Sequence, residues 1–130
     1  MTFDVDERTS RTYRAKLTDA AGSPVALAAL VALTLSLYVT DDFPTSAADA
    51  TFVNGREGQN VLNDQGVTYD EQTGELVWEI TPADTAVQDA TLAYETHRAL
   101  FRWRHDDGFG VERDGYHVVD LRVRNLKLVS

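Results

Sequence analysis

The chain has 130 residues, of which 43% are hydrophobic, and a formal net charge of −9. This length and apolar content suit one domain with one core and exclude an intrinsically disordered protein. The negative charge excludes a general nucleic-acid binder, which needs Lys and Arg to contact phosphates, and the absence of cysteine excludes a disulfide framework and a thiolate metal site. The acidic, lysine-poor composition is typical either of a GC-rich genome or of a halophilic source.

The N-terminal segment "MTFDVDERTSR" is polar and has neither an apolar run nor a clear period. It therefore predicts no secretory signal. We expect residues 1–11 to form an arm, or a loosely attached first strand, that a neighbouring subunit orders, because few apolar side chains could anchor it. Residues 12–130 would then form the domain. The most apolar stretch, residues 25–39, is shorter than the ~20 residues of a membrane-spanning helix, so membrane insertion is not predicted.

Alternation of apolar and polar residues predicts strands in the first third of the chain. Residues 13–17 alternate, and "DAAGSP" then predicts a turn. The segment "VALTLSLYV" at residues 31–39 alternates without interruption, so one of its faces is apolar and the other mixed. Such a strand is typical of an antiparallel sheet that covers one side of a core. The following "TDDFPTSAADA" predicts a loop.

Residues 51–80 predict two short strands, "TFVNG" and "QNVLND", and one clear hairpin. In the hairpin, the alternating segments 67–70 and 75–80 flank the turn "DEQTG". The sequence "TPADTA" then places Thr81 as a helix N-cap before Pro82, which predicts a single helical turn.

The last third predicts two strands around the glycine-rich loop "DDGFGVERDG". Leu92 and Tyr94 share one phase, whereas Ala99 and Phe101 share the opposite phase, so we expect a β-bulge near His97. In total, seven to nine short strands separated by turn signals predict an all-β chain that forms a single immunoglobulin-like antiparallel β-sandwich. The side chains that we expect in its core are Leu33, Leu35, Leu37, Trp78, Ile80, Phe101, Trp103, Val119, Leu121 and Val123.

Chemistry-bearing motifs are sparse. The sequence has no GxSxG, Walker A, GxGxxG or CxxC motif, so we predict neither a catalytic site nor a cofactor. Paired acids at strand ends can bind calcium between loops, although such pairs are also ordinary turn-forming residues. The weak calcium candidates are Asp41, Asp42, Asp106 and Asp107. The three histidines do not have the spacing of a zinc or iron site.

Charge is unevenly distributed along the chain. Residues 70–95 contain acids but no Lys or Arg, whereas bases concentrate towards both ends. If the first and last strands of the sandwich lie side by side, these bases share one edge and present a basic surface for docking. The alternative is that they pair with acids on adjacent strands of the same molecule. The interface candidates are Arg8, Arg11, Arg14, Lys16, Arg122, Arg124 and Lys127.

Two segments carry a resemblance to known proteins. "KLTDAAGSPVAL…VALTLSLYV" and "YDEQTGELVWEITPADTA" together resemble the immunoglobulin-like β-sandwich domains of tailed-virus structural proteins, such as the N-terminal domain of upper baseplate proteins. The resemblance spans residues 13–126. It implies a non-enzymatic virion protein, assembled in the host cytoplasm and installed in several copies by contacts with other virion proteins and with itself.

The position in the particle that the resemblance implies is capsid decoration, a neck or head–tail joint, or the tail or baseplate. The alternative function is a carbohydrate- or host-surface-binding adhesion domain that uses Trp or Tyr side chains, with Trp78 and Trp103 as its main platform residues and Phe101 and Tyr94 as further candidates. Burial of the two tryptophan rings would favour the first function over the second.

Overall fold

The structure is a computed structural model that describes residues 2–17, 30–40, 51–70, 72–106 and 112–126. Within these ranges the chain forms eight strands, which confirms the predicted all-β class and strand number. They are β1 (Thr2–Asp6), β2 (Arg11–Lys16), β3 (Leu30–Val39), β4 (Gln59–Asn60), β5 (Val67–Asp70), β6 (Glu75–Ile80), β7 (Tyr94–Asp106) and β8 (Glu112–Arg124). The predicted turn at 19–24 lies outside the described residues, as do residues 41–50 of the loop predicted at 40–50. Of the loop predicted at 106–115, residues 107–111 are not described, whereas Asp106 ends β7 and residues 112–115 belong to β8. Asp41, Asp42, Asp107 and Lys127 also lie outside the described residues.

The strands form two sheets that pack face to face. The large sheet has the order β1-β8-β7-β3-β4 and the small sheet the order β2-β6-β5. The orders β8-β7-β3-β4 and β2-β6-β5 correspond to the G-F-C-C′ and B-E-D strands of immunoglobulin-like sandwiches. One detail differs from the predicted antiparallel sandwich, because β1 runs parallel to β8 and makes the large sheet mixed.

The N-terminal segment forms the first strand of the sandwich, which is the alternative that the sequence left open beside a separate arm at residues 1–11. β1 pairs with β8 from Thr2 opposite Asp120 to Asp6 opposite Arg124. Val5 is buried, and the half-buried ring of Phe3 stacks on a ring of the small sheet. Backbone pairing with the edge of β8 and two inward side chains hold this segment without a neighbouring subunit.

The core lies between the two sheets and contains the predicted apolar faces. Side chains from β3, β7 and β8 meet those of β6, and the rings of Trp78 and Phe101 pack edge to face with their centroids 5.6 Å apart. The predicted core residues that are buried are Leu33, Leu35, Leu37, Trp78, Ile80, Phe101, Val119, Leu121 and Val123. Trp103 packs against this cluster but is only partly buried, since it lies near the end of β7.

β7 is one uninterrupted strand, and the predicted bulge near His97 is wrong. Its register with β8 runs without a shift from Tyr94 to Asp106. The phase does not change because the inward positions before Ala99 are occupied by Glu95 and His97, two polar residues that the apolar pattern did not count. The irregularity in this sheet lies in β3, where the register shifts between Leu30 and Ala32.

The segments next to β3 and β6 are less regular than predicted. Of the two short strands expected at 51–64, the structure has a single bridge between Phe52 and Tyr38 and the two-residue β4. The expected helical turn after β6 is a hydrogen-bonded turn in which Asp84 N donates to Thr81 O at 2.9 Å. The predicted hairpin of β5 and β6 is confirmed, with Val67 opposite Trp78 and Asp70 opposite Glu75.

Candidate protein-binding face

The predicted basic edge does not form, because the strands that carry it belong to different sheets. Arg14 lies on β2 in the small sheet, where Nη1 is 2.7 Å from Glu75 Oε1. Arg124 lies on β8 in the large sheet, where Nε is 2.7 Å from Asp6 Oδ1. These two arginines therefore pair with acids on adjacent strands, which was the alternative to a docking edge.

The other described interface candidates do not share one basic edge either. Arg11 and Arg122 contact other residues of the chain, whereas Arg8 and Lys16 are exposed at separate positions. Arg11 lies over the ring of Phe3, with its guanidinium carbon 4.4 Å from the ring centroid. The guanidinium carbon of Arg122 lies 3.9 Å from the ring centroid of Tyr94, and its Nη1 lies 4.0 Å from Asp4 Oδ1. Arg8 and Lys16 are exposed, the first in the connection between β1 and β2 and the second at the end of β2.

The outward side of the large sheet, called here the outer face, carries a different arrangement of charge. Its ion pairs run across neighbouring strands: Arg98 binds Asp120 through Nε at 2.9 Å and Nη2 at 3.1 Å, and Arg104 Nε lies 3.0 Å from Asp114 Oδ1. The hydrogen bond and the charge of Asp120 raise the pKa of Arg98 despite partial burial. Among the described side chains, the charged residues of this face are Asp4, Asp6, Arg98, Arg102, Arg104, Asp106, Asp114, Asp120, Arg122 and Arg124.

Between these ion pairs lies a shallow groove of about 630 Å³. Its lining includes the apolar side chains of Ala32, Leu100 and Val118. Tyr116 borders it and is 73% exposed, the largest exposure among the large hydrophobic side chains described. Arg102 also borders it and, among the described residues, has no ion-pair partner. An apolar floor, an exposed tyrosine and an unpaired arginine make this groove the candidate functional site.

The four weak calcium candidates find little support within the described residues. Asp106 is exposed at the end of β7, and no group of three or more His, Cys, Asp or Glu side chains comes together in the described ranges. The other three calcium candidates lie outside those ranges, so the calcium site stays a prediction.

A buried polar network, which the sequence analysis missed, holds the connection between β6 and β7. Arg56 Nε lies 2.6 Å from Asp84 Oδ1, and both side chains are almost fully buried. The same carboxylate accepts hydrogen bonds from Asn54 Nδ2 at 2.9 Å and from Thr81 N at 3.0 Å. Because every one of these groups serves another, the network fixes the loops and offers no ligand a free donor or acceptor.

A second buried pair continues this network at the start of β7. Glu95 accepts hydrogen bonds from the backbone N–H groups of Gln88 at 2.8 Å and Asp89 at 2.7 Å, and its partner is His97. Burial disfavours ionisation of Glu95, but the hydrogen bonds from His97 and the two backbone donors outweigh it and lower the pKa of the carboxyl. Strict extension of the β7 alternation backwards from Ala99 would have placed both residues inward.

The other histidines are interior groups rather than ligands of one site. His117 Nε2 accepts a hydrogen bond from the hydroxyl of Tyr13, and the two rings stack with centroids 5.9 Å apart. Burial lowers the pKa of His117 and raises that of Tyr13. His105 is buried on β7, and within the described part of the chain its Nδ1 has no hydrogen-bond partner.

Neither tryptophan forms an exposed platform. Trp78 is completely buried in the core. Trp103 lies across Gly115, its partner on β8, so that a Cβ added at position 115 would stand 2.5 Å from Trp103 Nε1. Both rings are thus engaged in packing within the sandwich.

Comparison of the chain with protein-family models, curated proteins and solved structures found no match to any of them. The resemblance to tailed-virus domains therefore stays a prediction. Within the described residues there is also no helix with the length and apolar character needed to cross a membrane.

Proposed function

We propose that this chain is a non-enzymatic assembly module that binds other proteins through the outer face of its large sheet. The observation that carries the proposal is the groove, in which an apolar floor lies beside the exposed Tyr116 and the unpaired Arg102. Tyrosine and arginine are enriched among the residues that contribute most to binding energy at protein interfaces. An apolar centre of this composition is what a partner protein would cover.

The surroundings of the groove support the same function. The Arg98–Asp120 and Arg104–Asp114 pairs flank it and are partly or largely exposed. Interfaces typically have such a polar, solvent-accessible rim around an apolar centre. Because both arginines are held by cross-strand carboxylates, the rim is already ordered before a partner arrives, which reduces the entropy lost on binding.

The particular setting that we propose is a tailed-virus particle, in which several copies of the chain decorate the capsid or join the neck, tail or baseplate. The support is the resemblance of the segments that form β3 and the β5–β6 hairpin to sandwich domains of such particles, together with the sandwich fold itself. Adhesion to carbohydrate is the less favoured function, since Trp78 and Trp103, its main platform residues, are engaged in packing.

The test is to purify virus particles from the cells that produce this chain. We expect mass spectrometry to find the chain in the sedimented particles at several copies per particle, and an antibody raised against the chain to label them. A chain that remains in the supernatant and is missing from intact particles would overturn the virion proposal.

The binding face itself is tested with variants in the same cells. Tyr116→Ser removes the exposed ring without touching the core and is expected to reduce incorporation into particles by about 10-fold. Thr68→Ser, on the exposed side of the small sheet, is the matched control and should be incorporated like the wild type. Equal incorporation of both variants would overturn the assignment of the outer face.

A further inference from the structure

Among the residues that the structure describes, the groove contains one arginine, Arg102, without an ion-pair partner. Arg98 and Arg104 lie opposite Asp120 and Asp114 on β8, and both form ion pairs with them. Arg102, between them on β7, lies opposite Tyr116 on β8 and Thr34 on β3. Neither neighbour is an acid, so the guanidinium of Arg102 is available for a carboxylate that comes from outside the molecule.

The rest of the same chain is strongly acidic. Among the described residues the outer face has five arginines and five aspartates, whereas the whole chain has a formal net charge of −9, so this face is less acidic than the chain as a whole. Glu57 and Asp64, in the connection around β4, are both exposed, and within the described residues neither has an ion-pair partner. These two carboxylates on a second copy of the chain have the charge that would complement Arg102.

The acidic connection is also well ordered. Val67 N donates to Asp64 O at 3.0 Å, and Tyr69 N donates to Asn63 Oδ1 at 2.8 Å. The buried Arg56 holds the same loop by donating from Nη2 to Gln65 O at 3.0 Å. A loop with its backbone held in place loses little conformational freedom when it binds, which favours association.

We infer that the groove of one copy binds the acidic connection 57–66 of a second copy, with Arg102 as the anion contact. The inference rests on the proposed function and specifies its partner. The two contacting surfaces differ, so the contact is heterologous and repeats from copy to copy into a ring or an open array. Such repetition is what a multi-copy assembly module requires.

The experiment is sedimentation velocity of the full chain over a concentration series at low salt. We expect the wild type to self-associate, and Arg102→Glu to weaken association by roughly 10–100-fold. Arg8→Glu changes the net charge by the same amount at an exposed position in the connection between β1 and β2, and it should associate like the wild type. Each variant must show the wild-type melting transition.

A mixing experiment identifies the two surfaces. Arg102→Glu and the double variant Glu57→Lys/Asp64→Lys should each associate poorly alone, because like charges then meet. In a mixture, the new carboxylate at position 102 of one chain meets the new lysines of the other, so association should return. Failure of the mixture to associate would overturn the proposed pairing.

One result separates this inference from the proposed function. A wild-type chain that remains monomeric at every concentration, yet is found in purified particles, would overturn self-association through the groove. The proposed virion function would stand in that case, and the acidic partner would be a different protein.

Discussion

His97 Nε2 lies 2.5 Å from Glu95 Oε1 inside the sandwich, where neither side chain is exposed to solvent. The other ring nitrogen of His97, Nδ1, lies 3.0 Å from the carbonyl oxygen of Asp84. Both ring nitrogens of His97 are thus engaged by oxygen atoms, one of a carboxylate and one of a backbone carbonyl. The Glu95 carboxylate is held inside the sandwich by His97 and by the backbone N–H groups of Gln88 and Asp89.

Removal of the negative partner of this pair should be costly. We expect Glu95→Gln to lower the free energy of unfolding at pH 7 by about 3 kcal/mol, because the single amide oxygen cannot replace the carboxylate for His97 and both backbone N–H groups, which leaves buried polar groups unpaired. Urea denaturation measures the change. The control is Glu79→Gln on the exposed side of β6, which should change stability by less than about 0.5 kcal/mol. Equal losses in the two variants would contradict a special role for Glu95.

The stability of the protein should fall as the pH drops below 6.5, through His117. Burial lowers the pKa of His117 from 6.5, so the unfolded chain takes up this proton before the folded chain does. The stability that depends on the neutral ring is complete above pH 6.5 and is lost as the pH falls towards the folded-state pKa. We expect His117→Gln, which keeps a hydrogen-bond acceptor for Tyr13, to lose less stability than the wild type between pH 7.5 and 5.5.

Chemical denaturation at a series of pH values compares the two proteins. The same loss in both would show that other groups cause the pH dependence. Tyr13→Phe serves as a second control, because it removes the hydroxyl but keeps the titrating ring of His117.

Because Trp103 lies so close to Gly115, we expect the addition of one methyl group at position 115 to lower the stability of the protein severely. We expect Gly115→Ala to destabilise the protein by about 2 kcal/mol, since the new Cβ overlaps the indole and forces the ring to move. Thermal denaturation measures the loss. Trp103→Leu frees this space, so Gly115→Ala should cost less stability in the Trp103→Leu background than in the wild type. Additive effects of the two substitutions would contradict the contact.

The alternation of β3 gives the strongest prediction from the sequence. Leu35 is completely buried, so Leu35→Asp should prevent folding by placing an unpaired charge in the core. Ser36→Asp, one residue later on the outward side, should fold, because its carboxylate reaches solvent. Circular dichroism and thermal melting distinguish the two outcomes. A native melting transition for Leu35→Asp would show that this strand does not bury the face assigned to it.

The parts of the fold that the sequence predicted share one physical cause. In β3 and in the β5–β6 hairpin, every inward side chain is apolar, so hydrophobic alternation alone predicts both the strand and its buried face. β1 was expected only as an arm or a loosely attached first strand, because its pairing with β8 joins residues far apart in the chain, which no local pattern reports. The burial of Glu95 and His97 was missed because two polar residues that bind each other in a core look in the sequence like two exposed residues.

The candidate site was less accessible to prediction than the fold. The basic residues were recognised, but their grouping assumed that β2 and β8 are neighbours, and strand order decides that question. The unpaired character of Arg102 follows from the residue opposite it on β8, which is Tyr116 and not an acid. Register across strands is a property of the folded sheet, so the sequence alone does not assign it.

The parallel pairing of β1 with β8 sets the order of events during synthesis. Val123 leaves the ribosome 118 residues after its partner Val5. At translation rates of about 5–20 residues per second, β1 is therefore made roughly 6–24 s before the strand that it joins. For that interval its Phe3 and Val5 side chains have no sheet to join, so β1 is most vulnerable to wrong partners before β8 emerges.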